Sequence, residues 1–188
     1  MIMKAKFVLS SLGVALFTPC GCGDYDSINP AAYLSNNSPH DIVVYWAKGS
    51  QYPSGYEYKV YPDTTLPDTY FYFDFEIKNY NDSASWYNPM SNIISVGDCA
   101  NVGDWDPNPI DYLFENISRL SVFVFHADTI RKYSWEEIRD SYNILVRYDL
   151  SERDVRSFKN HTIPFPPTRA MRDMKMWPPY EEVMKRYE

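Results

Sequence analysis

The run "LSVFVFH", Leu120 to His126, constrains this chain more than any other. In an extended strand successive side chains point to opposite faces, so Leu120, Val122 and Val124 share one side and Phe123 and Phe125 the other. Both faces are apolar, and such a strand is stable only when covered on both sides. This places it at the centre of a sheet. A second run, "YFYFDFEIK" from Tyr70 to Lys78, alternates instead: Phe71, Phe73, Phe75 and Ile77 oppose Tyr72, Asp74, Glu76 and Lys78. That period of two predicts a strand with one dry face and one wetter face. "DIVVYW" (Asp41 to Trp46), "YEYKVY" (Tyr56 to Tyr61) and "NIISV" (Asn92 to Val96) read as further short strands.

Helical signals enter in the second half. Ser134 followed by Glu137 forms a capping box, and Trp135, Ile138, Tyr142 and Leu145 recur at helical spacing. "NILVRY" (Asn143 to Tyr148) returns to strand character. Ser151 with Asp154 repeats the capping logic, and Val155 and Phe158 supply an apolar stripe. The prolines of "TIPFPP" confine that segment to a sheet edge or end. The terminal "MWPPYEEVMKRYE" ends in one helical turn. The expected fold is α+β: a largely antiparallel sheet or sandwich, with two or three short helices in the C-terminal half. Residues 40–188 form a single globular domain in this reading.

Residues 1–21 read as a leader. Lys4 and Lys6 give a charged start, and Phe7 to Phe17 is an apolar run of 11 residues. A bilayer-spanning helix needs about 20, so this is the hydrophobic part of an export signal. "TPCGCGDYDS" (Thr18 to Ser27) follows it. A metal site at Cys20 and Cys22 lacks nearby ligands, since Cys99 and the histidines at 40, 126 and 161 are dispersed. A disulfide between the two cysteines closes a strained ring. The arrangement resembles a bacterial lipoprotein signal, in which a Cys carrying palmitate-like acyl chains becomes the first mature residue. Gly21 at the cleavage position favours Cys22, and Cys20, preceded by Pro19, is the alternative. Residues 22–39, polar and rich in Asn and Pro, read as a flexible tether.

The net charge of −7 becomes −9 once Lys4 and Lys6 leave with the leader. That balance repels nucleic acid and anionic headgroups, so nucleic acid is not an expected partner. Asp104, Asp106, Asn108 and Glu115 occupy positions 1, 3, 5 and 12 of a calcium-loop pattern. Pro109 stands where that loop needs a glycine, so it is a weak metal candidate. Cys99 with His126 is a weak candidate for nucleophile and base, since a lone thiol is more often a small buried hydrophobe. The 25 acidic residues include carboxylates for hydrolysis, but separation in space is the criterion for choosing a pair. No Gly-rich phosphate loop or HExxH is present, and no cofactor is implied. Trp86, Tyr87 and Trp105, in or beside expected loops, are the candidate ligand-binding aromatics.

Several segments then gather into a pattern: the lipoprotein-like leader, "NNSPHDIVVYW", "YPDTTLP", "RYDLSERDV" and "MWPPY". Together they resemble a family of small uncharacterised lipoproteins from gut Bacteroidetes. The resemblance implies a Gram-negative envelope location, with an outer-membrane lipoprotein exposed at the surface by the acidic "GDYDS" after Cys22. It also implies O-glycosylation acceptors at the tripeptides beginning at Asp63, Asp82 and Asp128. The expected role is a non-enzymatic binding or docking module for a protein or glycan, held to the membrane by its lipid. The alternative is a small cell-surface hydrolase using acidic residues.

Overall fold

The computed structural model describes residues 30–48, 66, 92–105, 109–115 and 117–187. Its strands are β1 (Pro30–Asn36), β2 (Ile42–Lys48), β3 (Ile93–Ile94), β4 (Cys99–Trp105), β5 (Leu120–His126), β6 (Val146–Leu150), β7 (Thr162–Phe165) and β8 (Met176–Trp177). The helices are α1 (Pro109–Phe114), α2 (Ala127–Lys132), α3 (Trp135–Ser141), α4 (Glu152–Ser157) and α5 (Tyr180–Met184). The fold is mixed α+β. An all-antiparallel sheet has the order β3-β2-β5-β6-β8, and a smaller sheet has the order β4-β1-β7. The short helices fall mostly in the C-terminal half. The expected strands at 56–61 and 70–78 lie outside the described residues.

Leu120 to His126 takes the central position that its two apolar faces require. Leu120, Val122 and Val124 join Ile42, Val44, Val146, Tyr148 and Leu150 in the main core. Ala31, Ala32, Leu34, Val102, Ile163 and Phe165 of the smaller sheet complete it. Phe123 and Phe125 turn the other way, joining Val43, Tyr45, Ala127 and Ile138 in a second core beneath α2 and α3. The central strand is therefore roofed by a sheet on one side and by helices on the other. Each fully buried Phe or Val side chain there contributes about 1.5–3 kcal/mol.

Two differences from the sequence reading have physical causes. Residues 30–36, expected to belong to the tether, are folded instead: Pro30–Asn36 is the middle strand of the smaller sheet. It pairs with β4 antiparallel and with β7 parallel, and Ala31, Ala32, Leu34 and Asn36 are buried. Its small residues and single bulky aliphatic give little periodic signal, so its neighbours, not its pattern, define it. The helix that begins at Trp135 stops at Ser141, short of Leu145. Tyr142 takes a left-handed conformation (φ 50°, ψ 45°), and its N–H closes the helix on Ile138 and Arg139 carbonyls. Leu145 instead donates its N–H to the Val124 carbonyl at 2.8 Å, which leads the chain into β6.

The signals at the helix starts hold. Ser134 and Ser151 each accept from the backbone three residues on, while Glu137 and Asp154 reach back to the cap. "TIPFPP" supplies β7, an edge strand of its sheet. "NIISV" contributes only Ile93–Ile94, because a turn over Ser95–Asp98 follows it. In that turn Gly97 has φ of 83°, a conformation other residues adopt at a cost.

Tyr148 sits between the two sheets, fully buried, with its hydroxyl donating to the Pro164 carbonyl at 3.3 Å. Burial, reinforced by Tyr187, pushes its ionisation well above the ordinary tyrosine range. In the unfolded chain it ionises near pH 10. A folded value raised above the unfolded one gives stability that is complete below about pH 10 and lost as the pH climbs past it. Alkaline unfolding followed by tyrosinate absorbance is expected to be steeper for wild type than for Tyr148→Phe.

Candidate functional site

The polar cluster most deeply set in the described residues lies on β6. Val146, Tyr148 and Leu150 face the main core, so Arg147 and Asp149 face the opposite side with their side chains 1% and 0% exposed. The register places Ser121 of β5 directly opposite Asp149, and Phe123 opposite Arg147. Arg147 Nε donates to Asp149 Oδ1 at 2.9 Å, and the Ser121 hydroxyl donates to the same oxygen at 2.6 Å. The Arg147 guanidinium also lies 5.2 Å from the Phe123 ring centroid, in cation–π range. Arg119 reaches over the strand end to the Asp149 carbonyl at 2.9 Å. Asp149 Oδ2 is buried and has no hydrogen-bond partner among the described residues.

This arrangement orders a sheet face, with the Ser121 proton spent on Asp149. Asp149 is the one buried carboxylate among the described residues, and its bound oxygen is held by a guanidinium and a hydroxyl. The sequence carries a sign of this cluster in "VRYDL". Opposite charges two residues apart share one face of any strand they occupy. Alternation alone reads that face as wet; the layer above the sheet makes it dry.

A second polar cluster fixes the corner where the two sheets meet. Asn36, at the end of β1, is fully buried. Its amide donates to the His40 carbonyl at 2.8 Å and to the Ile94 carbonyl at 2.9 Å. Its oxygen accepts from the Ser38 N–H at 3.1 Å and lies 2.7 Å from the Ser38 hydroxyl. Beside it the rings of His40 and His126 lie 5.0 Å apart. His126 caps α2, its Nδ1 accepting from the Asp128 N–H at 3.1 Å, which leaves the proton of the neutral ring on Nε2.

The sequence candidates disperse. Cys99 opens β4 in the smaller sheet, opposite Ser35, whereas His126 closes β5 in the larger one. The Nδ1 lone pair of His126 serves the helix cap. Asp104 and Trp105 lie on β4, and Trp105 pairs with Pro30. Pro109 opens α1, so the chain is already helical at the calcium pattern's sixth position, and Glu115 is exposed beyond the helix end. Asp106, Asn108, Trp86 and Tyr87 lie outside the described residues, as do Cys20, Cys22, Asp63 and Asp82. Asp128 is exposed on α2, and Thr129 beside it is half-buried. Among the described residues no group of three or more His, Cys, Asp or Glu side chains is placed to hold a metal ion.

Comparison with protein-family models, with curated proteins and with solved structures finds no match to this chain.

Proposed function

We propose that this chain is a lipid-anchored envelope protein, acylated at Cys22, whose α+β domain is a binding or docking module for a protein or glycan and not an enzyme. The observation that carries the reading is the sequence order: a charged start, an 11-residue apolar run too short to span, and then Cys22 after Gly21. The fold adds support from its own start. Pro30 is already in a strand, only eight residues beyond Cys22. Among the described residues no helix is long and apolar enough to cross a membrane.

Two or more acyl chains hold a protein durably, whereas one does so marginally. Expressed in a Gram-negative host fed a clickable fatty acid, the wild type is expected to take up label and sediment with membranes. Cys20→Ala keeps the label, and Cys22→Ala loses both label and sedimentation. An unlabelled wild-type protein in the soluble fraction overturns the proposal.

A further inference from the structure

The α2 helix is capped by a side chain that titrates. His126, the last residue of β5, has extended backbone (φ −68°, ψ 133°), and its Nδ1 accepts from the Asp128 N–H at 3.1 Å. The caps of α3 and α4 accept through serine hydroxyls, which keep their lone pairs across the ordinary pH range. An imidazole nitrogen does not. Nδ1 accepts only in the neutral ring, because both nitrogens of the imidazolium are donors. Protonation therefore turns the acceptor of this cap into a donor aimed at another donor. Histidine is the side chain whose ordinary charge change falls between about pH 5 and 8. The His126 side chain is 31% exposed, so a proton reaches it with the fold intact.

The titratable and charged groups adjoining the ring among the described residues are His40 and Asp41, from the turn into β2, and Asp128 and Arg131, from α2. The His40 ring lies 5.0 Å away, and a second imidazole at that distance opposes a charge on the first. Asp128 favours that charge. Its Oδ2 lies 4.0 Å from His126 Nδ1, while Arg131 holds its Oδ1 at 2.8 Å. β2 sets the uncharged Ile42 opposite His126, and the pairing with β6 ends two residues earlier, at Val124. The carboxylate to which a protonated Nδ1 turns thus belongs to the residue whose N–H it abandons. We propose that His126 is a pH-sensitive clasp on α2. Neutral, it caps the helix through the Asp128 N–H; protonated, it exchanges that bond for the Asp128 carboxylate and frees the first helical turn. The loosening is local. Ala127, which starts α2, donates its N–H to the Asp41 carbonyl at 3.0 Å, and the pairing of His126 with Ile42 is made by the backbone, so neither depends on the charge of the ring. The freed turn includes Ile130, packed on the second core, so the change reaches the helical cover and stops short of the sheet. The clasp works whether or not Cys22 carries a lipid.

The test is nuclear magnetic resonance of the nitrogen-labelled full chain at about pH 8 and about pH 5. At the higher pH a scalar coupling is expected across the hydrogen bond, from the Asp128 amide nitrogen to His126 Nδ1. At the lower pH the coupling vanishes. Solvent exchange of the Asp128 amide, corrected for the intrinsic effect of pH, then quickens by about tenfold. The Ala127 amide is expected to keep its protection at both. His126→Asn supplies an oxygen that caps in either condition, so its Asp128 amide is expected to exchange slowly throughout. His126→Ala has no acceptor, and the same amide is expected to exchange fast throughout. A wild-type coupling that is absent at about pH 8 or persists at about pH 5 overturns the proposal. So does slow exchange in His126→Ala, or an acid response in His126→Asn as large as that of wild type.

Discussion

Asn36→Ala is expected to destabilise the domain by about 3–5 kcal/mol, lowering its melting temperature by about 10 °C. The side chain is 0% exposed and uses both amide protons and its oxygen. Its removal strands the Ser38 N–H and takes a donor from the Ile94 and His40 carbonyls at the junction of the two sheets, leaving the His40 carbonyl only the Ser38 hydroxyl at 2.9 Å. A buried group left without its partner costs about 1–3 kcal/mol. Asn36→Asp separates hydrogen bonding from shape. It keeps an oxygen for Ser38 but turns two donors into acceptors facing the carbonyls of Ile94 and His40, so it is expected to be at least as damaging. Asn37→Ala, one residue on and exposed, is expected to change stability by less than about 0.5 kcal/mol. Urea unfolding of the three variants measures this. Equal midpoints for Asn36→Ala and Asn37→Ala would show that the corner is not a fastening.

The same residue explains what was legible in the sequence. Leu120 to His126 is placed as its pattern requires, because two apolar faces have only one kind of solution. Helix starts were legible for a local reason: a capping box satisfies its backbone donors within four residues. Asn36 works at long range. Its partner Ile94 lies 58 residues away, and nothing in "SNNSPH" distinguishes a buried hub from a polar turn. Pro30–Asn36 was hidden likewise, since its identity as a middle strand depends on β4 and β7. The helix end at Tyr142 was illegible because the left-handed cap falls on a tyrosine and not on the glycine that usually marks such a stop. For the candidate site, the types of residue were readable but their company was not. His126 stood out as a base, yet its neighbours make it a helix cap.

Breaking the Arg147–Asp149 pair from one side is expected to cost as much as losing Asn36. Asp149→Leu removes the carboxylate from a guanidinium 1% exposed, and Arg147→Met leaves a carboxylate that is 0% exposed without its cation. Each substitution is expected to destabilise by about 3–5 kcal/mol, since each takes an opposite charge away from a buried ion whose desolvation cost remains. The double variant Arg147→Met/Asp149→Leu removes both charges and fills the face with apolar volume over Phe123. Its cost is therefore expected to fall short of the sum of the singles by more than about 2 kcal/mol. Asp149 Oδ2 sharpens the argument. That oxygen is buried without a hydrogen bond among the described residues, so the carboxylate is incompletely compensated even in the intact pair, and an apolar replacement of both residues gives up less than the ion-pair distance of 2.9 Å suggests. Ser121→Ala in the double-variant background is expected to be nearly neutral, because its acceptor is already gone; in wild type it costs about 1 kcal/mol. Chemical denaturation of the full cycle decides the matter. Additive losses would mean that the two side chains act separately despite sharing a face, whereas the expected shortfall identifies the pair as a single unit whose charges stabilise the fold mainly by neutralising each other.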